Sequence, residues 1–139
     1  MGKVLQLKAL VNHANELGNY APIHVTKDMV EGIYDALNRS VFSGALTRPK
    51  IVVRDYSKKG MWGECEGWQR GSRWGEHYTK VIRIERNFPN LKKLIQVVAH
   101  EMVHQWEWEY HGVMTHGEKT FLVWKDDLKY YGIRLDIVL

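Results

Sequence analysis

Residues 91–110 run for twenty positions without a glycine or a proline, and in their midst stands His100-Glu101-Met102-Val103-His104. Asn90 can cap a helix there, and Pro89 marks the break before it. Two histidines four apart on a helix project from one face, one turn apart, so both imidazoles can reach a single metal ion with the glutamate beside it. At 100° per residue Leu91, Leu94, Ile95, Val98, Met102 and Trp106 form an apolar stripe nearly opposite the histidines, with Val97, Glu101 and Trp108 at its flank. The helix is therefore wanted on two faces. One packs into a core, and the other holds an ion at the floor of a cleft. Two ordinary core histidines are the plainer reading, but they leave the intervening glutamate and its mid-helix position without a reason.

The remaining residues must supply that core and close that site. A chain of 139 residues is expected to form one domain, 1–139, and six tryptophans and seven tyrosines give its interior bulk. No apolar run is long enough to cross a bilayer, and Met1-Gly2-Lys3 leads into an amphipathic segment rather than a signal peptide. The single cysteine, Cys65, excludes an internal disulfide and a Cys-rich zinc ribbon. These features predict a soluble, cytoplasmic protein with no membrane partner. The net charge of +4 is uneven: residues 54–93 hold ten basic against five acidic side chains, whereas 94–139 are acidic on balance.

Along the chain, Val4, Leu7, Val11, Ala14 and Leu17 recur at helical spacing up to Gly18. Thr26 can cap a second helix, buried through Val30, Ile33, Leu37 and Val41 and ending before Ser43-Gly44. His13 and His24 have no partner at ligand spacing and are expected at the surface or in packing. Residues 50–54 have strand character, 57–60 read as a turn, 61–68 as a strand, 69–76 as a loop and 77–85 as a second strand with one buried face. After Gly112, Thr115-His116-Gly117-Glu118 has the form of a capping box. It would open a helix anchored by Phe121, Trp124, Leu128 and Tyr131 and ended by Gly132. Residues 133–139 fit a short strand or a packed tail.

Catalytic zinc usually takes three protein ligands and keeps one position for water. The helix supplies His100 and His104, so the third must come from elsewhere. His116, after a turn and beside the capping threonine, is the first choice; His111 and then Glu118 are the rivals. Glu101 is better used as a base than as a ligand. Zinc lowers the pKa of a water to about 7, and a neighbouring carboxylate can take the proton and pass it to a leaving amine. The implied reaction is amide hydrolysis without a covalent intermediate. His77, Tyr78, Tyr110 and His111 are candidate donors to the developing oxyanion, and spacing singles out none of them. Two other classes remain open: a nucleic-acid-associated binding module in which zinc is structural, and a hydrolase of non-peptide amides.

The stretch Asn38-Arg39-Ser40-Val41-Phe42-Ser43-Gly44-Ala45-Leu46-Thr47-Arg48-Pro49, the strand VIRIE at 81–85, HEMVHQW at 100–106 and HGEKTF at 116–121 occur in this order. Together they resemble the SprT-like metallopeptidases, the group that includes the Spartan proteases of DNA-protein crosslink repair. The resemblance runs from about residue 36 to 131. It implies an α+β fold: a minimal zincin-like domain with a small antiparallel or mixed sheet packed against the HExxH helix. It implies Zn2+ held by His100, His104 and His116, Glu101 as the catalytic glutamate, and a protein or peptide substrate. It also bears on the basic region 54–86, where Arg54, Lys58, Lys59, Arg70, Arg73, Lys80, Arg83 and Arg86 are interleaved with Tyr56, Trp62, Trp68, Trp74 and Tyr78. Such a mixture can track a phosphate backbone and stack single-stranded DNA bases; equally, the tryptophans can fill a core while the cations solvate a surface.

Overall fold

A computed structural model describes residues 6–71, 76–116 and 118–136. Helix α1 spans Leu7–Leu17 and buries Leu7, Leu10, Val11 and Ala14, while Leu17 points outward. Gly18, at φ 79°, ends it. Val4 and the other residues before Gln6 lie outside the described part. Strand β1, Ile23–His24, is only two residues long. Helix α2, Lys27–Ser40, starts at Thr26, whose hydroxyl accepts from the Met29 N–H at 3.3 Å, as the sequence predicts. It buries Val30, Ile33, Tyr34 and Leu37. The loop that follows is closed by Asn38, whose side-chain amide donates to the Leu46 carbonyl (2.7 Å) and whose Oδ1 accepts from the Leu46 N–H (3.1 Å). Inside that loop Ser43 and Gly44 take φ of 55° and 73°.

Three strands make the main sheet: β2, Lys50–Arg54; β3, Gly63–Arg70; and β4, Glu76–Glu85. Their order is β2-β4-β3, with β2 parallel and β3 antiparallel to β4, so the sheet is mixed. Strand β5, Asn87–Phe88, pairs with β1. The fold is thus a small α+β domain with two small sheets. β3 starts and ends two residues later than the sequence pattern suggests. Gln69 and Arg70 pair with His77 and Glu76 instead of lying in a loop. The rest of that turn, including Arg73 and Trp74, lies outside the described residues.

β4 also departs from the expected single buried face: Val81 and Glu85 are as buried as Ile82 and Ile84. Being central explains it. Ile82 and Ile84 lie level with Ile51, Val53, Cys65 and Gly63 on the face that meets the long helix α3, Leu91–His111. On the other face Glu85 is satisfied by backbone, accepting from the N–H groups of Tyr56 (2.7 Å), Arg86 (2.9 Å) and Asn87 (3.1 Å).

Asn90 caps α3 by accepting from the Lys93 N–H at 2.7 Å, and Gly112 ends it in the left-handed region at φ 68°. Sheet and helix also meet closely where β3 carries an irregularity between Glu66 and Gly67. There the Trp108 indole lies across Gly67 and donates from Nε1 to the Tyr78 carbonyl at 2.8 Å. A Cβ on Gly67 would come within 2.2 Å of that nitrogen.

Beyond α3 the structure corrects the capping box. Thr115 caps nothing, and the chain forms two short helices, α4 at Lys119–Leu122 and α5 at Lys125–Tyr130, rather than one. Trp124, expected inside a single helix, sits at the junction, packed on Phe42 and Trp106. Residues 133–136 are a packed tail with Ile133 and Leu135 buried, while 137–139 lie outside the described part. No described helix is long and apolar enough to cross a membrane. Gly67→Ala should lower stability by roughly 1–3 kcal/mol through overpacking against Trp108, read as a shifted denaturant midpoint. An unchanged midpoint would contradict this account of the contact.

Candidate metal centre

α3 is buried almost all round its middle, with His100, Glu101, His104, Gln105 and Glu107 all enclosed. The sequence reading, one apolar stripe with an open face opposite, is therefore too simple. The ion-holding face is itself covered, by β3, by the segment carrying His116 and by the C-terminal tail. Each buried polar group has to find a partner, and the partners define the site. Gln105 accepts from the Tyr34 hydroxyl (2.7 Å) and donates to the Thr47 carbonyl (2.9 Å) and to Glu109 (3.0 Å), tying α3 to α2 and its following loop.

His100 and His104 stand one turn apart with ring centroids 4.8 Å apart, and the turn after Gly112 brings His116 back over them. The Nε2 of His104 lies 3.1 Å from that of His100 and 3.0 Å from that of His116. His100 and His104 are buried, and His116 remains open to solvent. Phe121 is fully buried beneath all three rings, at centroid distances of 5.0, 4.9 and 5.7 Å. His100 Nδ1 faces the Asp136 carbonyl at 3.0 Å; a carbonyl only accepts, so the proton is on Nδ1 and the lone pair on Nε2.

This arrangement fits a metal ion. Three imidazole nitrogens pointing at one spot gain nothing from one another beyond a shared proton, whereas a cation satisfies all three lone pairs. Tetrahedral zinc with Zn–N near 2.0–2.1 Å would separate its ligand nitrogens by roughly 3.3 Å, close to the spacings found. His111 and Glu118 do not join the cluster. His111 is exposed and rests against Trp106 at 4.9 Å, and Glu118 is exposed at the start of α4.

Glu101 lies in the same cleft, about 500 Å³ in volume, whose walls include Met61, Trp62, Cys65 and Met114. Burial first, then the neighbouring Glu64 carboxylate, pushes Glu101 up to about 8. Burial, and then the proximity of the other imidazoles, pulls His100 down to about 3 and His104 down to about 4. Both rings are therefore neutral and available as ligands at neutral pH.

The four candidate oxyanion donors lie elsewhere. His77, Tyr78 and Tyr110 line a separate hollow beside Thr47 and Glu109, and His111 points away as described. His13 is exposed; His24 is exposed and bonds Asn87. Two groups went unread in the sequence, Asp136 and Glu107. The first acts through its carbonyl, which leaves no side-chain signal. The second was legible only as a carboxylate one turn after His104.

In the basic region, Tyr56 is buried, Trp62 packs on Phe88, and Arg83 is held by Glu64 (3.0 Å) and Glu66 (2.7 Å). Arg86 pairs with Asp55 at 3.4 Å, and Lys80 reaches Glu66 at 3.8 Å. Arg54, Lys58, Lys59 and Arg70 are exposed, and Trp68, 46% exposed, stacks on Tyr78.

The long helix and the following turn of this α+β domain bring three histidines into one cluster able to hold a metal ion, an arrangement that suits a metallopeptidase-like domain. A model of the SprT-like family matches residues 30–136, and the chain belongs to that family. Among curated proteins and among solved structures, nothing matches it.

The raised pKa of Glu101 has a thermodynamic consequence in the metal-free chain. The unfolded carboxyl ionises near 4.5 while the folded one stays protonated to about 8, so Glu101 disfavours folding increasingly across that window. Metal-free Glu101→Gln should thus be more stable than its parent, by a margin that grows from pH 4.5 towards pH 8, where it reaches the order of a few kcal/mol. Parallel melting curves across pH, with a constant offset, would contradict it.

Proposed function

We propose that the chain is a zinc metallopeptidase in which His100, His104 and His116 hold the ion and Glu101 is the general base. The observation that carries this is the convergence of three Nε2 atoms, two of the contacts at 3.0 and 3.1 Å, beside a buried carboxylate in one cleft. Zn2+, when bound, supplies positive charge that polarises the scissile carbonyl and acidifies water.

The chain's own residues supply the rest. The low pKa values of His100 and His104 keep them unprotonated at working pH. Glu101 takes a proton from the attacking water and delivers it to the departing amine. Its place in the cleft, beside the three imidazoles, puts the carboxylate where it can take up that proton and return it. Met61, Trp62 and Met114 give the cleft apolar walls for a peptide side chain. A structural zinc would leave the base without a purpose and would call for a fourth protein ligand; among the described residues only the three histidines form such a cluster.

Proteins on DNA are the substrate class in this reading, with single-stranded DNA engaged by the β3–β4 hairpin. The support is Trp68, exposed and stacked on the half-buried Tyr78, with Arg70 exposed on the same hairpin.

Glu101→Gln should keep stoichiometric zinc yet lose about 10²–10⁴-fold in peptide cleavage. His116→Ala should lose the metal, and His111→Ala should keep it. Full activity in the Gln variant, or metal loss only in the His111 variant, would overturn the assignment. The double variant Trp68→Ala, Arg70→Ala should weaken single-stranded DNA binding and reduce the slope of log affinity against log salt by about one. Identical titrations at low and high salt would remove DNA from the reading.

A further inference from the structure

Glu107 is fully buried on α3, one turn beyond His104 and on the same side. A carboxylate so enclosed must be hydrogen-bonded, and among the described residues its donors come from one segment. Its Oε1 accepts from the Thr115 N–H at 2.6 Å, and its Oε2 accepts from the hydroxyls of Thr115 and Thr120, both at 2.5 Å. Thr115 immediately precedes His116, and Thr120 immediately precedes Phe121, the ring beneath the three imidazoles. The same Oε1 is 3.8 Å from His104 Nδ1, a buried nitrogen that no other group satisfies among the described residues.

We infer that Glu107 is a positioning residue for the metal centre: one carboxylate sets the place of the third ligand and faces the far nitrogen of the second. The inference rests on the metal-binding reading above and goes beyond it, since nothing in the His-Glu-x-x-His pattern calls for a carboxylate at this position.

The geometry gives this residue two effects. Through Thr115 and Thr120 it fastens both ends of the His116 segment to the helix that carries the other ligands, so ligand spacing is fixed before an ion arrives. Beside His104 Nδ1, its negative charge favours the tautomer with the proton on that nitrogen, leaving Nε2 free to ligate. His100 obtains the same result from the Asp136 carbonyl. The two helix ligands are thus oriented by different devices.

Glu109, on the same helix, is the matched control. It is a partly buried carboxylate bonded to Thr79 (2.5 Å) and Gln105 (3.0 Å), outside the cluster of three imidazoles. Zn2+ affinity of the folded full-length chain, measured by chelator competition, and the visible spectrum of the Co2+ form should be compared for the parent, Glu107→Gln and Glu109→Gln. Glu107→Gln is expected to lose roughly 10–100-fold in affinity and to shift the Co2+ bands, with Glu109→Gln staying within about twofold and keeping the parent spectrum. Should Glu107→Gln fail to fold, Thr120→Val removes a single donor and is expected to weaken Zn2+ several-fold. Equal affinities and spectra in the two Gln variants, or a Thr120→Val protein that binds as the parent does, overturns the positioning role while the metal-binding reading stands. A parent that binds no metal overturns both.

Discussion

Everything about this protein turns on five polar side chains, His100, Glu101, His104, Gln105 and Glu107, buried on consecutive turns of one helix. A polar group removed from water costs free energy unless it is paired, so α3 can sit at the centre only if its surroundings are built to pair them. Gln105 is met by Tyr34 and Thr47, Glu107 by Thr115 and Thr120, and His100 by Asp136. Those partners come from α2, the loop after it, the segment leading into α4, α4 itself and the tail. Satisfying α3 therefore organises much of the chain around it, and the Nε2 atoms of His100, His104 and His116 are left facing one another.

The sheet serves the same end. Its central strand presses Ile82 and Ile84 onto α3, and β3 brings Gly63 so close that a Cβ there would lie 3.0 Å from Val97 and 3.3 Å from the Glu101 carboxylate. Glycine at that point lets the strand come down over Glu101, and burial drives that carboxyl's pKa up. The packing that closes the core is thus the same contact that sets the proton affinity of Glu101 in the metal-free chain.

Much of this was legible in the sequence because it rests on local rules. Thr26 and Asn90 cap as their side chains suggest, Gly18 and Gly112 end their helices at positive φ, and the i, i+4 spacing of His100 and His104 allows only one mutual placement on a helix. His116 was reachable as a histidine shortly past a helix break, although the local reading was wrong. Thr115 matched a capping box, yet its hydroxyl bonds Glu107, a partner that folding supplies from eight residues upstream. The same limit explains the oxyanion candidates, since the strand register that carries His77 and Tyr78 to the hollow shared with Tyr110 leaves no local signal. It also explains β4, whose two-sided burial follows from its central place in the sheet, a tertiary fact. Asp136 was out of reach, since a backbone carbonyl leaves no trace in residue identity.

X-ray absorption at the zinc K-edge of the purified protein addresses the central claim most directly. The account predicts about one zinc per chain with nitrogen and oxygen scatterers only, near 2.0–2.1 Å, and outer-shell scattering from three imidazoles. Protein free of zinc, or a sulfur scatterer near 2.3 Å from Cys65 closing the coordination as a fourth protein ligand, would contradict it.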